Sequence, residues 1–316
     1  MRFLFAILMF STACGHKSDD NSATTAGGPT PASIVAAAAK PKPKPIDLSL
    51  GEGYQMRHPI RDGNLAIVPI VATGAMPDVH YVTLADGLAR HEVTVREIGR
   101  GDEFTVDKLR VKNKSHEPLF VMTGEMVFDG MQDRVIAEDR VIPPGKTVRV
   151  AVRCVEMSRE AGHLDFHASN LLAELQIRQA VIHQSQTEVW ASVDAINQHH
   201  HLTPPSKTYR EAALLQNSTE AQARRDRLTH ALAQMPDRSH VVGLAQVISG
   251  HVVSIDRFAT PELFGALEGE LLGSYVASDE AQPHEGRTFL PADVRALATA
   301  PVARMTEASF IAVTRP

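Results

Sequence analysis

Aromatic residues make up only 5% of this 316-residue chain, and it holds two cysteines, Cys14 and Cys154. The first shortage implies a core built mainly from aliphatic side chains. The second excludes a disulfide framework, and without a Cys-x-x-Cys pair there is no zinc knuckle. No dense run of Lys or Arg lies in the part that reads as folded, and the formal charge is −5, so nucleic acid is not an expected partner. Neither a Walker A run, nor G-x-G-x-x-G, nor G-x-S-x-G occurs, which removes the phosphate-cradling loop and the nucleophile elbow. H-E-x-x-H is also missing, and no metal or cofactor is expected. No apolar run reaches the roughly 20 residues that a membrane-spanning helix needs.

Hydrophobic residues at 43% and charged residues at 22% are ordinary globular usage,. At the N-terminus a single basic residue, Arg2, precedes the apolar stretch Phe3–Phe10, and Ser11–Cys14 follows as Ser-Thr-Ala-Cys. This reads as an export signal over residues 1–13. Small residues directly before a cysteine resemble a bacterial lipobox, with Ser11 where that motif usually has Leu. Cys14 is the expected lipidation site, and the expected location is the bacterial cell envelope, with the membrane as a partner through the lipid. Residues 14–45 are rich in Ala, Pro, Ser, Thr, Gly and Lys, ending in AAAAKPKPKP. They read as a tether that reaches roughly 30 Å as a coil.

Residues 46–281 read as one α+β domain, and 282–316 as a C-terminal extension with a last strand expected in ASFIAV. Its N-terminal half reads as a β-rich sandwich or barrel. LAIVPIVA at Leu65–Ala72, HEVTVREI at His91–Ile98 and FTVDKLRVKNKS at Phe104–Ser115 are strand-like, and PLFVMTGEMVF reads as a strand pair about Gly124,. KTVRVAVRCVE alternates cleanly and puts Val148, Val150, Val152, Cys154 and Glu156 on one face,.

A helical period follows from about Ser169 to Gln198. Leu175, Ile182, Val189 and Ile196 recur every seven residues, the stripe of one long helix,. A second helix is expected over Tyr209–Gln234. Ser249-Gly250 between two strand-like runs predicts a hairpin over Val241–Phe258,. Thr260, Pro261 and Glu262 are the cap and first turn of a last helix. Its Gly265, Gly269 and Gly273 imply close approach by a neighbouring element.

Four of these pieces together carry a family resemblance: GEMVFDGMQDR (Gly124–Arg134), VIPPGKTVRVAVRCVE, VWASVDAI and GHVVSIDRFATPELFGALEGELLGSY. Their order and spacing resemble the ARG and rhodanese-phosphatase-superfamily-associated protein domain, in which ARG stands for ADP-ribosylglycohydrolase. The resemblance spans roughly Leu65–Tyr275. The family's name records gene neighbours, so it implies ADP-ribose or NAD metabolism by association and assigns no reaction. Asp133, where the family usually has Asn, and the MSRE at Met157–Glu160 depart from its pattern.

Glu125, Gln132, Arg134 and Glu156 match the family's polar positions and are the candidate ligand-binding residues. An Arg can hold phosphate or carboxylate in a two-pronged grip, and converging Glu residues can move protons. The same residues can equally form an internal network that pins a turn. Three functional readings follow: an envelope protein binding a small molecule or protein partner through this cluster; an enzyme acting on an ADP-ribose-like or phosphorylated substrate; and a structural envelope module. Cys154, on an apolar strand face, reads as a buried thiol. His163, Asp165 and His167 share a face if extended, and His199–His201 precede a Pro-Pro loop, but none has a metal-ligand spacing.

Overall fold

The computed structural model describes residues 53–99, 105–158, 162–183, 185–281 and 311–314. The expected export signal, lipidation site Cys14 and tether lie outside the described residues. Elements follow in chain order. Strands β1 (Tyr54–Met56), β2 (Ile60–Asp62), β3 (Leu65–Ala72) and β4 (Val82–Thr83) lead into helix α1 (Leu84–Ala89). Next come β5 (Val93–Ile98), β6 (Thr105–Asn113), β7 (Leu119–Val121) and β8 (Glu125–Phe128). Then follow β9 (Arg134–Ile136), β10 (Arg140–Ile142), β11 (Thr147–Cys154) and β12 (His167–Leu172). The helices α2 (Leu175–His183), α3 (Gln186–His199), α4 (Arg210–Leu214) and α5 (Thr219–Ala233) come after them. The chain continues through β13 (Val241–Ile248), β14 (His251–Arg257), α6 (Pro261–Ala281) and β15 (Ile311–Thr314). The architecture is the α+β arrangement expected, with a β-rich N-terminal half, helices, then hairpin and helix.

One six-stranded sheet runs β12-β8-β9-β11-β6-β5. It curls until its ends meet, where the Arg96–Asp165 bridge joins β5 to the segment before β12. The alternation of β5, β6 and β11 turns Val93, Val95, Leu109, Val111, Val150 and Val152 into the enclosed core,. The small sheet β10-β7-β4 contributes Leu119, Val121 and Ile142 to the same core. Its membership corrects one expectation: β7 and β8 flank Gly124 but belong to different sheets and do not pair. The outer side of β8, β9 and β12 carries Met126, Val135 and Leu171 against Ile177, Val189, Val193 and Ala212 of α2, α3 and α4.

The other sheet runs β1-β3-β13-β14-β15, with β2 also on β3. The gap between β1 and β2 falls opposite Pro69, which has no N–H to offer, while its carbonyl still accepts from Arg57 N–H at 2.8 Å,. The β13–β14 hairpin forms as expected. Ser249 at φ 49° and Gly250 at φ 84° make the turn, both left-handed as a type I′ hairpin requires,. Helices α5 and α6 cover this sheet through Leu228, Leu232, Phe264, Leu267 and Leu271. Thr260 caps α6 by accepting the Leu263 N–H at 3.1 Å.

Two helical expectations are corrected. The run expected as one helix starts as β12 and then divides into α2 and α3. Ser185 ends the continuity by forming a capping box with Glu188, each side chain bonding the other's backbone,. The second run divides likewise into α4, a 3₁₀ turn at Leu215–Asn217 and α5, because Ser218 accepts the Ala221 N–H and starts a new helix,. The glycines of α6 are a third correction. Space beside Gly265 and Gly269 is open, and only Gly273 is crowded, by the Gln216 side chain.

A buried polar tie links the two halves. Arg178 of α2 grips Asp256 of β14 through two hydrogen bonds of 3.1 and 2.5 Å. The Tyr275 hydroxyl of α6 donates to the same carboxylate at 2.6 Å. Gly124, at φ 98°, lets β8 begin directly against Arg178: a Cβ there would lie 2.8 Å from Arg178 Cγ,.

Candidate functional site

The turn between β8 and β9 carries most of the candidate residues, and its shape follows from what fastens it. Asp129 takes a left-handed φ of 73°. Gly130 follows because no side chain fits: a Cβ would fall 2.0 Å from the Phe166 ring. Beyond the turn, Arg134 enters β9 facing the enclosed core and is fully buried. Its Nη2 lies 3.4 Å from Glu97 Oε1 and its Nη1 donates to Gln132 Oε1 at 3.2 Å. Gln132 in turn donates to the Met157 carbonyl at 3.3 Å, and Glu97 Oε1 accepts the Met131 N–H at 3.2 Å. Among the described residues Arg134 Nε and Glu97 Oε2 have no hydrogen-bond partner. Burial raises the Glu97 pKa, and Arg134 works against that rise.

Glu156 closes the other side. Its Oε2 accepts the Asp133 N–H at 3.0 Å, just past the end of β11. The Asp133 carboxylate accepts Arg210 Nε at 2.8 Å and the Thr208 hydroxyl at 3.1 Å. Arg210 also donates to Asp129 at 3.0 Å and lies 4.3 Å from the Phe128 ring centre. The bond to Asp133 pushes the Arg210 pKa up, so Arg210 is a permanent cation here.

The structure therefore brings Gln132, Arg134 and Glu156 together around one turn, with Asp133 between them. It places Glu125 elsewhere: that carboxylate accepts the Met122 N–H at 2.5 Å and serves the preceding turn. Glu97 and Arg210 join the cluster without having been singled out. Glu97 was legible, since an acidic residue occupies the inward phase of Val93 and Val95. Arg210 lies 77 positions from Asp133 and has no local signal. Cys154 also borders the cluster. Its thiol is buried, burial raises its pKa, and Gln186 holds its backbone from both sides at 3.0 and 2.7 Å. Arg134 and Arg153 act to lower that pKa, but burial outweighs them and leaves the thiol protonated rather than activated,.

The fastened turn supports one wall of a groove. Asp129 O accepts the His163 N–H at 3.3 Å, and the Glu97 N–H donates to Leu164 O at 3.0 Å, so the 162–167 segment lies over the turn. That segment, α1, β5 and β12 enclose a groove of about 400 Å³. Leu88, Val93, Val95 and Phe166 give it an apolar lining; His91, Thr94, Asp165, His167 and Asn170 give it polar groups. Two of these, His91 at φ 59° and Asn170 at φ 54°, have left-handed backbones, a conformation found often at binding sites. His167 Nδ1 lies 3.6 Å from Asp129 Oδ2, which links the groove to the cluster. Among the described residues no group of His, Cys, Asp and Glu fits a metal ion, and no helix is long and apolar enough to cross a membrane.

A curled sheet with a buried Glu–Arg pair, a fastened turn and an adjoining groove defines an α+β domain organised around an internal polar cluster. The chain belongs to the ARG and Rhodanese-Phosphatase-superfamily-associated Protein domain family, whose match covers residues 53–310. Nothing among curated proteins or solved structures matches it.

Proposed function

We propose that this is an exported, lipid-anchored envelope protein that recognises a small molecule or a protein partner without transforming it. In this reading the groove receives the ligand, while Gln132, Arg134 and Glu156 hold the turn beneath it. Glu125 steadies the neighbouring turn. One observation carries the proposal: the groove's 162–167 wall rests on the turn that the cluster fastens. The volume and the apolar lining with a few polar groups are those of a small-ligand pocket. Burial of the Glu125, Arg134 and Glu156 side chains favours this role over acid–base catalysis, which needs groups within reach of a substrate.

The test is a thermal-shift screen of the full chain with ADP-ribose, NAD, sugar phosphates and cell-wall fragments. A ligand is expected to raise the unfolding temperature, and His167→Ala and Thr94→Trp are expected to abolish that rise. No shift with any compound, or a shift that both variants retain, would remove the groove. Turnover of ADP-ribose would replace recognition by catalysis. For the anchor, Cys14→Ser should free the protein from membranes; unchanged partitioning would count against it.

A further inference from the structure

The outward face of β5, β6 and β11 carries cations in register. Arg96 pairs with Arg110, and Arg110 pairs with Arg149, so three guanidinium groups lie side by side across adjacent strands. Lys112 lies one outward position along β6 in one direction and Lys108 in the other, and both are exposed. Strands are about 4.8 Å apart and outward positions repeat about every 6.8 Å along a strand. The result is a lattice of positive charge on a protein whose formal charge is −5.

Like charges directly opposite each other on a sheet are destabilising, so an internal partner would be expected. Only Arg96 has one, Asp165, at 2.9 Å for the longer of two bonds. Among the described residues Lys108, Arg110, Lys112 and Arg149 make no ion pair. Glu138 approaches the rim, but its carboxylate is engaged by the Ala151 N–H at 3.0 Å and by Arg140 at 3.3 Å. Asp107 alternates to the opposite side of β6 from Lys108. At the end of the basic row Val106 is 48% exposed, an apolar group in the same outward phase.

We infer that this face docks on an anionic lipid surface. Charge complementarity selects a polyanion, and a second copy of the same face would repel it. The breadth of the lattice, three strands wide with an apolar residue at its edge, fits a layer of headgroups better than a single narrow strand of charge. The lipid anchor in the reading above would keep the domain within a tether's reach, roughly 30 Å, of such a surface. The docking itself uses no acyl chain, and it touches the groove only where Arg96 bonds Asp165. Each cation near an anionic bilayer contributes on the order of a fivefold gain in affinity.

The experiment is vesicle co-sedimentation of the full chain carrying Cys14→Ser, so that no acyl chain contributes. Phosphatidylglycerol-containing vesicles are compared with pure phosphatidylcholine vesicles. The expected result is binding in excess on the anionic vesicles, falling as salt is raised. Arg110→Glu with Arg149→Glu should reduce that excess roughly tenfold or more. The milder Arg110→Gln with Arg149→Gln should reduce it less. The Gln pair should leave the unfolding temperature equal or higher, since the repulsion is relieved, whereas the Glu pair again sets two like charges opposite each other,. Equal binding to both vesicle types, or an excess that survives both substitutions, would overturn the inference. Soluble polyphosphate binding as tightly as vesicles at equal phosphate would assign the face to a soluble polyanion and overturn the membrane assignment. Failure here leaves the ligand-induced shift at the groove untouched.

Discussion

Arg178 and Asp256 meet as a two-pronged ion pair with side chains 1% and 0% exposed. One lies on α2 and the other on β14, so the contact joins the helical layer to the hairpin sheet. Burial opposes the guanidinium's charge, but Asp256 outweighs it and the Arg178 pKa rises. Truncating one partner would leave the other charge buried alone, which costs about 3–5 kcal/mol. Arg178→Ala is expected to lower the unfolding free energy by that amount in a urea titration. Tyr275→Phe, which removes the hydroxyl's bonds to Asp256 at 2.6 Å and to the Leu244 carbonyl at 3.4 Å, should cost about 1–2 kcal/mol. Equal effects would show that the charge pair carries no special weight.

Glu174 supplies a pH dependence. It lies just before α2, is 2% exposed, and neither carboxylate oxygen has a hydrogen-bond partner among the described residues. Burial pushes its pKa from 4.5 to about 8, with Tyr209 opposing the rise and Glu280 adding to it. The folded state therefore keeps a proton that the unfolded state has released between these values. The contribution to stability is complete below pH 4.5 and is lost as pH rises toward 8. Glu174→Gln is expected to remove this slope, so the wild-type chain should lose a few kcal/mol more than the variant between pH 5 and pH 8. Parallel pH profiles for the two proteins would refute the assignment.

Cys154 should be chemically quiet. Its sulfur is buried and its pKa is raised by burial, so thiolate is scarce at neutral pH. In the Cys14→Ser chain, iodoacetamide should label Cys154 far more slowly than a free thiol, reaching the free-thiol rate only in denaturant. Rapid labelling of the folded protein would show an open path to the strand.

Gly130 couples the cluster to the groove. Gly130→Ala would drive a methyl into the Phe166 ring, with an overpacking cost of about 1–3 kcal/mol. Because Phe166 lines the groove, any ligand-induced thermal shift should shrink in this variant. Gly145→Ala is the control, since space beside that glycine is open, although its φ of 72° carries its own strain. A folded Gly130→Ala protein with a full ligand response would separate the two features.

The sequence spoke most clearly where a local rule was sufficient. Ser249-Gly250 and the Thr260-Pro261-Glu262 start are such places, because turn and cap chemistry act within a few residues. The helical stripe misled, because Leu175, Val189 and Ile196 are all buried, although the helix breaks between them and Leu175 packs in a different cluster from the other two. The break was written in Ser185 and Glu188, three residues apart. Among the candidate site residues, Gln132, Arg134 and Glu156 meet because two neighbouring strand ends bring them together. Glu125 lies only nine positions before Arg134, but the Gly124 turn directs its carboxylate to Met122 instead. Arg178–Asp256 and Asp133–Arg210 had no local signature at all, since only the finished fold makes them neighbours.

Strand β3 pairs with β13 along its length, Leu65 against Ile248 and Val71 against Val241. An early ribbon thus waits for a late one, and the intervening chain must be synthesised before that seam can zip. Such long-range closure is slow compared with helix pairing. A product truncated ahead of Val241 would expose an apolar edge with nothing beside it, a template for intermolecular stacking. Shortened versions of this polypeptide should clump rather than persist as half-built folds.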